Sequence, residues 1–340
     1  MNILFISGVY PPEACGIGDY TYKLVTAMEM TDTNIHVLAN ISWSLSNFSE
    51  VSQQIKNINP DVIHIQYPSV GFGTSLIPQL LSLRYKTVVT IHEFSQAHIL
   101  RKISLLPFSL RADLIFTNGF EQKAFNKLFF WSRRINKQVI IPIGSNIKPN
   151  NNEILFTERD NNTIVNFGQI RPNKGLEDIV SLARQIKQKN LQYKVLVLGQ
   201  VLGKFEDYYK SLREESKDLR IEWKINESEE TISNILSGNL IAYLPFPDGA
   251  SERRGSLLAA LANKMLVFTT TGEQTTDALK EIIIDVPSIN NLVEYLGKQP
   301  QLDFYAIWRF LTSASSSYIK KLDWANISDL HLDFYKTTIN

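Results

Sequence analysis

The sequence predicts an α/β protein made of two doubly wound parallel-sheet domains, and three observations carry that expectation. Short β-branched runs alternate with helix-periodic segments along the whole chain. The chain has 340 residues, more than one hydrophobic core usually spans. The alternation also restarts after a polar break near the middle. In the first half the expected strands are 3–7, 35–38, 62–66, 87–91, 114–117 and 139–141, with helical spacing at 21–28 and 76–83. In the second half they are 163–167, 194–198, 220–223, 240–243 and 265–269. Lys148-Pro149-Asn150-Asn151-Asn152 replaces apolar periodicity with turn formers, so the linker is expected there. Rossmann-like sheets of this kind hold ligands beyond the carboxyl ends of their strands, and two such crevices can face each other across a cleft. No repeat of solenoid length is visible.

Composition narrows the class. Hydrophobic residues make up 44% of the chain and charged residues 20%, which suits a folded protein and excludes a disordered or collagen-like one. A single cysteine, Cys15, excludes an internal disulfide framework and a structural zinc cluster. The opening Met1-Asn2-Ile3-Leu4-Phe5-Ile6-Ser7-Gly8 reads as a first strand rather than a signal peptide, and no run reaches the ~20 apolar residues of a membrane span. A cytoplasmic location is expected, with room for peripheral contact at the inner face of the membrane. The net charge is +1, which gives no ground for a nucleic-acid partner. Residues 1–150 nevertheless carry 13 Lys or Arg against 9 Asp or Glu. A solvated surface explains so small an excess, and an anionic acceptor or lipid surface is the alternative.

Several segments can carry chemistry. Val9-Tyr10-Pro11-Pro12-Glu13-Ala14-Cys15-Gly16-Ile17-Gly18-Asp19-Tyr20 joins the first strand to a helix, where glycine amides can approach a phosphate or simply make a structural turn. The second half opens with Gly168-Gln169-Ile170-Arg171-Pro172-Asn173-Lys174-Gly175 before an amphipathic helix over 176–186. Two cations in such a loop can neutralise a diphosphate leaving group. Further on, Pro245-Phe246-Pro247-Asp248-Gly249-Ala250-Ser251-Glu252-Arg253-Arg254-Gly255-Ser256 leads from a strand into an Ala/Leu-rich helix, so its amides would meet the same phosphates from the other side. Arg253 and Arg254 read equally well as surface residues. Thr90-Ile91-His92-Glu93 sets a histidine at the carboxyl end of the fourth strand, while His64 on the preceding strand reads as core.

Taken in this order, these segments resemble the retaining glycosyltransferases of family 4, whose two-domain architecture is called GT-B. The resemblance rests on Pro11-Pro12 with Gly16 to Gly18, on Thr90-Ile91-His92, on Ile141-Pro142-Ile143-Gly144 and on Gly168 through Lys174-Gly175. Trp324-Ala325-Asn326-Ile327 to Phe334-Tyr335 is similar to the family's closing helix. It implies an acceptor-side domain over 1–150, a nucleotide-sugar domain over 151–305 and a helical segment over 306–340 that crosses back to the first domain. It further implies transfer of a sugar from a UDP or GDP donor to a hydroxyl of a glycan or lipid-linked acceptor, with retention and without metal or other cofactor.

Arg171 and Lys174 would stabilise the departing diphosphate, and His92 would meet the donor sugar. Gly16, Ile17, Gly18, Gly168, Gly199, Ile225, Asp248, Arg253, Arg254, Gly255 and Ser256 are the implied donor contacts. The chain departs from the family where two glutamates are usual, since Ser251 and Ala259 fall at those positions. Asp248 or Glu252 can substitute for the first. A Gln169 also stands where an arginine is common. A donor-binding partner subunit without turnover, and a sugar-nucleotide epimerase or hydrolase on the same fold, therefore stay open.

A final stretch, Phe125-Asn126-Lys127-Leu128-Phe129-Phe130-Trp131-Ser132-Arg133-Arg134, combines aromatic and basic residues near the basic segment 98–111. It reads either as a membrane-facing surface or, by the i, i+3, i+4 spacing of Phe125, Leu128 and Phe129, as helix packed on the sheet.

Overall fold

The computed structural model describes residues 1–13, 15–150, 154–298 and 304–339. Ala14 of the opening loop and Asn151 and Asn152 of the expected linker lie outside them. In chain order the elements are β1 (Asn2–Ile6), α1 (Gly16–Glu29), β2 (Asn34–Leu38), α2 (Phe48–Ile58), β3 (Val62–Tyr67), α3 (Ile77–Arg84), β4 (Thr87–Ile91), α4 (Ile99–Ser104), α5 (Leu106–Arg111), β5 (Ala112–Phe116), α6 (Gly119–Leu128), α7 (Ser132–Ile135) and β6 (Gln138–Ile140). There follow β7 (Asp160–Ile170), α8 (Leu176–Gln188), β8 (Lys194–Val201), α9 (Glu206–Glu215), β9 (Ile221–Ile225), α10 (Glu229–Gly238), β10 (Asn239–Leu244), α11 (Gly255–Ala262), β11 (Leu266–Thr269), α12 (Asp277–Lys280), β12 (Ile284–Asp285), α13 (Ile289–Gly297), α14 (Phe304–Lys320) and α15 (Trp324–Ile339).

Two compact units result, Met1–Asn146 with Leu322–Asn340 and Ile147–Lys321. Within the segment 306–340, α14 therefore belongs to the second unit, and the return to the first begins at Leu322. Trp308 on α14 donates from its indole nitrogen to the Lys264 carbonyl at 2.7 Å, inside the second unit.

The first unit holds a six-stranded parallel sheet in the order β2-β1-β3-β4-β5-β6. One face is covered by α2, α3, α5 and α6, through Val51, Ile77, Leu81, Phe108 and Phe125. The other is covered by α1 and α15, through Leu24, Met28, Ile327 and Tyr335. Burial on both faces explains why β3 and β4 are covered at every position, the pattern of an interior parallel sheet. Phe125 and Phe129 pack with Phe94 in this core, so within 125–134 only Leu128 and Phe130 among the apolar residues at 125, 128, 129 and 130 face solvent. The helical spacing of Phe125 and Phe129 thus serves the sheet, while Leu128, Phe130, Arg133 and Arg134 are exposed.

The second unit holds a parallel sheet in the order β12-β11-β10-β7-β8-β9. Its α8 buries Leu176, Ile179, Val180, Leu182, Ala183 and Ile186 against one face, the stripe expected of its amphipathic sequence. α11 lies in the opposite cluster, with Leu257, Ala259, Ala260 and Leu261 buried. Among the described residues no helix is long and apolar enough to cross a membrane.

Candidate functional site

The strand orders locate the crevices. In the second sheet β8 continues from one side of β7 while β10 lies on the other, so the order reverses between β7 and β10. Helices leave such a point in opposite directions and open a crevice beyond the strand carboxyl ends. The loops after β7 and β10 are the two basic segments singled out in the sequence.

These loops adjoin. Gly175 caps α8 in the left-handed region at φ +73°, and a Cβ there would lie 2.2 Å from the Pro245 carbonyl oxygen at the end of β10. Glycine is required on both counts. A Cβ on Gly168 would stand 4.0 Å from the Ser256 hydroxyl on α11. Gly168, Gly199 and Ile225 are register partners across β7, β8 and β9, one row near the carboxyl edge. A Cβ on Gly199 would meet the Gly168 carbonyl oxygen at 2.5 Å, so this row closes only with glycine in its middle.

The charges are set unevenly around the crevice. Arg171 and Lys174 are half-buried, and Arg171 Nε donates to Gln169 Oε1 at 3.4 Å, so the glutamine in the place of a common arginine orients the arginine two residues on. The first turn of α8 carries Glu177 and Asp178, which already offset its helix dipole, and burial followed by the charge of Glu177 raises the Asp178 carboxyl above its ordinary range. The first turn of α11 carries no acid, so its amides keep their pull on an anion.

Arg253 and Arg254 both pair with Asp248, Arg253 at 3.1 Å, and their side chains are only 8% and 16% exposed. Arg254 also lies over the Phe246 ring at 4.9 Å. They are thus held side chains at the mouth of α11 rather than loose surface residues. Glu252 accepts from Thr276 Oγ1 at 3.3 Å and from the Tyr318 hydroxyl at 3.2 Å. Both carboxylates considered as glutamate substitutes therefore already have partners within the unit. Ser251 is buried, and its hydroxyl makes no hydrogen bond.

In the first unit the order reverses between β1 and β3. Here the loops after the two strands pack tightly: a Cβ on Gly71 would lie 2.0 Å from the Gly8 carbonyl oxygen, and Val9 N donates to Ser69 Oγ at 3.1 Å. Gly18 faces the Val9 carbonyl oxygen, where a Cβ would come within 2.9 Å, whereas Gly16 faces nothing within 4 Å. Gly18 is needed for packing, and Gly16 with Ile17 opens α1.

His92 follows β4 and is buried against Tyr20, ring centroids 4.8 Å apart. Its Nε2 hydrogen-bonds Gln66 Oε1 at 2.8 Å, which fixes the donor at Nε2 and leaves Nδ1 as acceptor. Burial, then the charge of His331, pushes its pKa down to about 3, so the ring is neutral at physiological pH. Gln66, Tyr20 and His331 were not singled out in the sequence. Gln66 lies two positions from His64 on a strand and so shares its face, a period-two signal that a polar pair in an interior strand does carry.

A cavity of 590 Å3 also opens in the first unit. Thr74, Ser75, Glu93, Gln96 and Arg101 give it a polar lining, and Tyr67 adds an aromatic wall. It lies at the carboxyl ends of β3 and β4, one residue from His92.

Two six-stranded parallel sheets, each flanked by helices and each with its own switch point, define the fold as GT-B, the Rossmann-like two-domain architecture of glycosyltransferases. Among solved structures, the chain is similar to HepE of Anabaena in complex with UDP and glucose, at 13% identity and TM-score 0.74, covering 99% of this chain and 100% of that one. Sucrose-phosphate synthase of Thermosynechococcus elongatus aligns at 16% identity and TM-score 0.73, covering 98% of each chain. A glycosyltransferase from Rickettsia africae aligns at 15% identity and TM-score 0.71, over 99% of this chain and 98% of that one. No protein-family model matches the sequence, and no curated protein matches it.

Proposed function

We propose that the chain is a glycosyltransferase that moves a sugar from a nucleoside-diphosphate donor, UDP- or GDP-linked, to an acceptor hydroxyl with retention of configuration and without a metal. The observation that carries this reading is the crevice between β7 and β10, where the loop that bears Arg171 and Lys174 meets the segment leading into α11 through Gly175 at Pro245 and Gly168 near the Ser256 hydroxyl. A diphosphate fits that combination of cations and an uncompensated helix start. The HepE and GtfA structures hold UDP, which supports a nucleotide-sugar donor.

In the proposed reaction the bond from the anomeric carbon to the diphosphate oxygen breaks and a bond to the acceptor oxygen forms on the same face. The acceptor proton passes to the leaving phosphate oxygen, so no protein nucleophile is required. Lys174 and Arg171 stabilise the charge that grows on that oxygen. Gly168, Gly199 and Ile225 form the row beside which the nucleoside lies, while Asp248 positions Arg253 and Arg254. Neutral His92 offers Nδ1 to a sugar hydroxyl, and the first-unit cavity takes the acceptor.

A donor-binding partner subunit without turnover is the second reading, favoured by the engagement of both Asp248 and Glu252 inside the protein. One of the similar structures is a GtfA/B complex. Purified protein incubated with a panel of UDP- and GDP-sugars separates the two. Donor consumption with sugar transfer, unaffected by excess chelator, supports the enzyme. A thermal shift with nucleoside diphosphate but neither transfer nor donor hydrolysis supports the partner subunit.

A further inference from the structure

The cavity beyond β3 and β4 carries opposite charges that do not neutralise one another. Arg101 on α4 and Glu93 after β4 both line it, yet among the described residues neither forms an ion pair. Both residues are exposed, and Glu93 is the single Asp or Glu among residues 70–111. The volume of 590 Å3 is that of a small-molecule site, for which about 300–1,000 Å3 is usual.

The wall around Arg101 is made of donors. Arg101 Nη2 donates to the Gly73 carbonyl at 3.1 Å, which holds the guanidinium beside Thr74 and Ser75. The Ser75 hydroxyl accepts from Ile77 N at 3.1 Å, so its hydrogen is left to donate. His98 Nδ1 accepts from Leu100 N at 3.3 Å, which places the ring proton on Nε2 and makes that nitrogen a further donor. Lys102, next along α4, adds a second positive charge nearby, its Nζ donating to the Ser95 carbonyl at 2.8 Å. A guanidinium, hydroxyls and a ring N–H around one corner match a phosphoryl group, whose oxygens take several donors at once, two of them from the arginine fork.

The Glu93 end has the opposite chemistry. An ionised carboxylate only accepts hydrogen bonds, so it suits hydroxyl hydrogens and repels a phosphate. Gln96, three residues on, adds an amide to that lining. We infer that the cavity binds a sugar phosphate, with the phosphomonoester at Arg101, Ser75 and His98 and ring hydroxyls at Glu93. Under the proposed glycosyl transfer, on which this step rests, that molecule is the acceptor. One hydroxyl oxygen at the Glu93 end forms the bond to the anomeric carbon, and its hydrogen passes to the leaving phosphate oxygen of the donor. Binding of the sugar phosphate does not depend on that reading.

Isothermal titration of the full chain with glucose 6-phosphate, mannose 6-phosphate and glucose 1-phosphate, each compared with its free hexose and with inorganic phosphate, tests the site. At least one sugar phosphate should bind about tenfold or more tighter than either its free sugar or inorganic phosphate. Arg101→Gln should remove that advantage, whereas Glu93→Ala should weaken the free sugar and its phosphate alike. Arg101→Lys, which keeps the charge without the fork, should fall between wild type and Arg101→Gln. Circular dichroism establishes that each variant is folded, and Arg101→Lys decides if Arg101→Gln is not. Inorganic phosphate bound as tightly as the sugar phosphates would reduce the corner to an anion site and overturn the inference. Equal binding by Arg101→Gln, or no binding by wild type, does the same. Tighter binding of glucose joined through a diphosphate to a short alkyl chain would overturn the phosphomonoester assignment. Sugar transfer to some other acceptor without binding of any sugar phosphate sinks this inference and leaves the proposed function standing. Binding of a sugar phosphate with no transfer from any nucleotide donor does the reverse.

Discussion

The Tyr335 hydroxyl and His64 Nδ1 share a hydrogen bond of 2.5 Å, tying the last helix to the third strand inside the first unit. His64 Nε2 then hydrogen-bonds Thr90 Oγ1 on β4 at 2.7 Å. His331, one turn before Tyr335, places Nε2 3.2 Å from the Tyr20 hydroxyl on α1 and Nδ1 2.7 Å from the Ile327 carbonyl. α15 is thus held by a buried polar network in addition to Ile327 and Leu332. All three histidines of the network are shielded from water, and burial is the leading cause of their lowered basicity: His92 to about 3, His331 to about 4, and His64 well below its ordinary value.

Acid should therefore loosen this unit well before its carboxylates protonate. The folded-state values lie below the unfolded value near 6.5, so the unfolded chain binds more protons once the pH falls under about 6.5. The stabilising effect of neutral histidines is complete above that pH. It is lost as the pH falls, at about 1.4 kcal/mol per pH unit for each group, and the loss levels off near the folded values. With three groups the slope approaches about 4 kcal/mol per pH unit between pH 6 and 4. Urea unfolding measured across that range should show it, and His331→Gln should reduce the slope. A flat stability profile from pH 7 to 4 would contradict the network.

Much of this architecture is legible in the sequence because parallel strands buried on both faces leave runs such as Val88-Val89-Thr90-Ile91. What stayed hidden depends on partners distant in the chain. β7 runs on to Ile170, three residues beyond the expected end, because its ladder with β8 continues through Gly168 and Gln169, which have no β pattern of their own. β12 is only Ile284–Asp285, too short to show a period. In the site, the loop cations could be read from their place after a strand, whereas the row of Gly168, Gly199 and Ile225 exists only through register. The pairing of Asp248 with both arginines depends on a loop turn at Gly249, φ +84°, pressed against Gly272. His331 and Tyr335 look like ordinary core positions of an amphipathic helix until β3 is placed against them.

Gly175 and Gly199 should be intolerant of a single methyl group. Gly175→Ala forces a left-handed backbone on a residue with a Cβ and drives that Cβ into the Pro245 carbonyl. Gly199→Ala meets the Gly168 carbonyl with no flexible side chain to yield. Each should cost about 1–3 kcal/mol of stability. Gly203→Ala, where a Cβ meets nothing within 4 Å, is the control and should stay within about 0.5 kcal/mol of wild type. Denaturant titrations of the three variants give the comparison, and equal stability for all of them would refute the packing argument.

Lys174→Ala should leave the fold intact, since the side chain is half-buried in a loop, and should lower kcat by about 100-fold through lost stabilisation of the leaving diphosphate. Arg171→Ala should act in the same direction and more mildly, its charge being partly covered by Lys174. The drop should appear in kcat at saturating donor rather than in KM alone. Wild-type turnover by Lys174→Ala under saturation would remove the charge-stabilising role from this loop.

Ser251 allows stability and donor binding to be separated in one side chain. Its hydroxyl is buried at the carboxyl side of β10 and has no hydrogen-bond partner, a condition that costs about 1–3 kcal/mol in a folded protein. Replacing it with alanine removes the polar atom while leaving the backbone and the neighbouring Ala250 packing unchanged. Without nucleotide, Ser251→Ala should therefore be more stable than wild type by about 1 kcal/mol, a rise of about 2–4 °C in Tm for a unit of this size. If the hydroxyl instead serves the donor, the order reverses on ligand addition: saturating UDP-sugar should raise the wild-type Tm by more than it raises that of the variant. Thermal unfolding of both proteins, with and without the panel of donors, measures the two effects together. A variant less stable than wild type without ligand would mean that the hydroxyl is structural, and an equal ligand-induced rise in both would exclude Ser251 from the donor site.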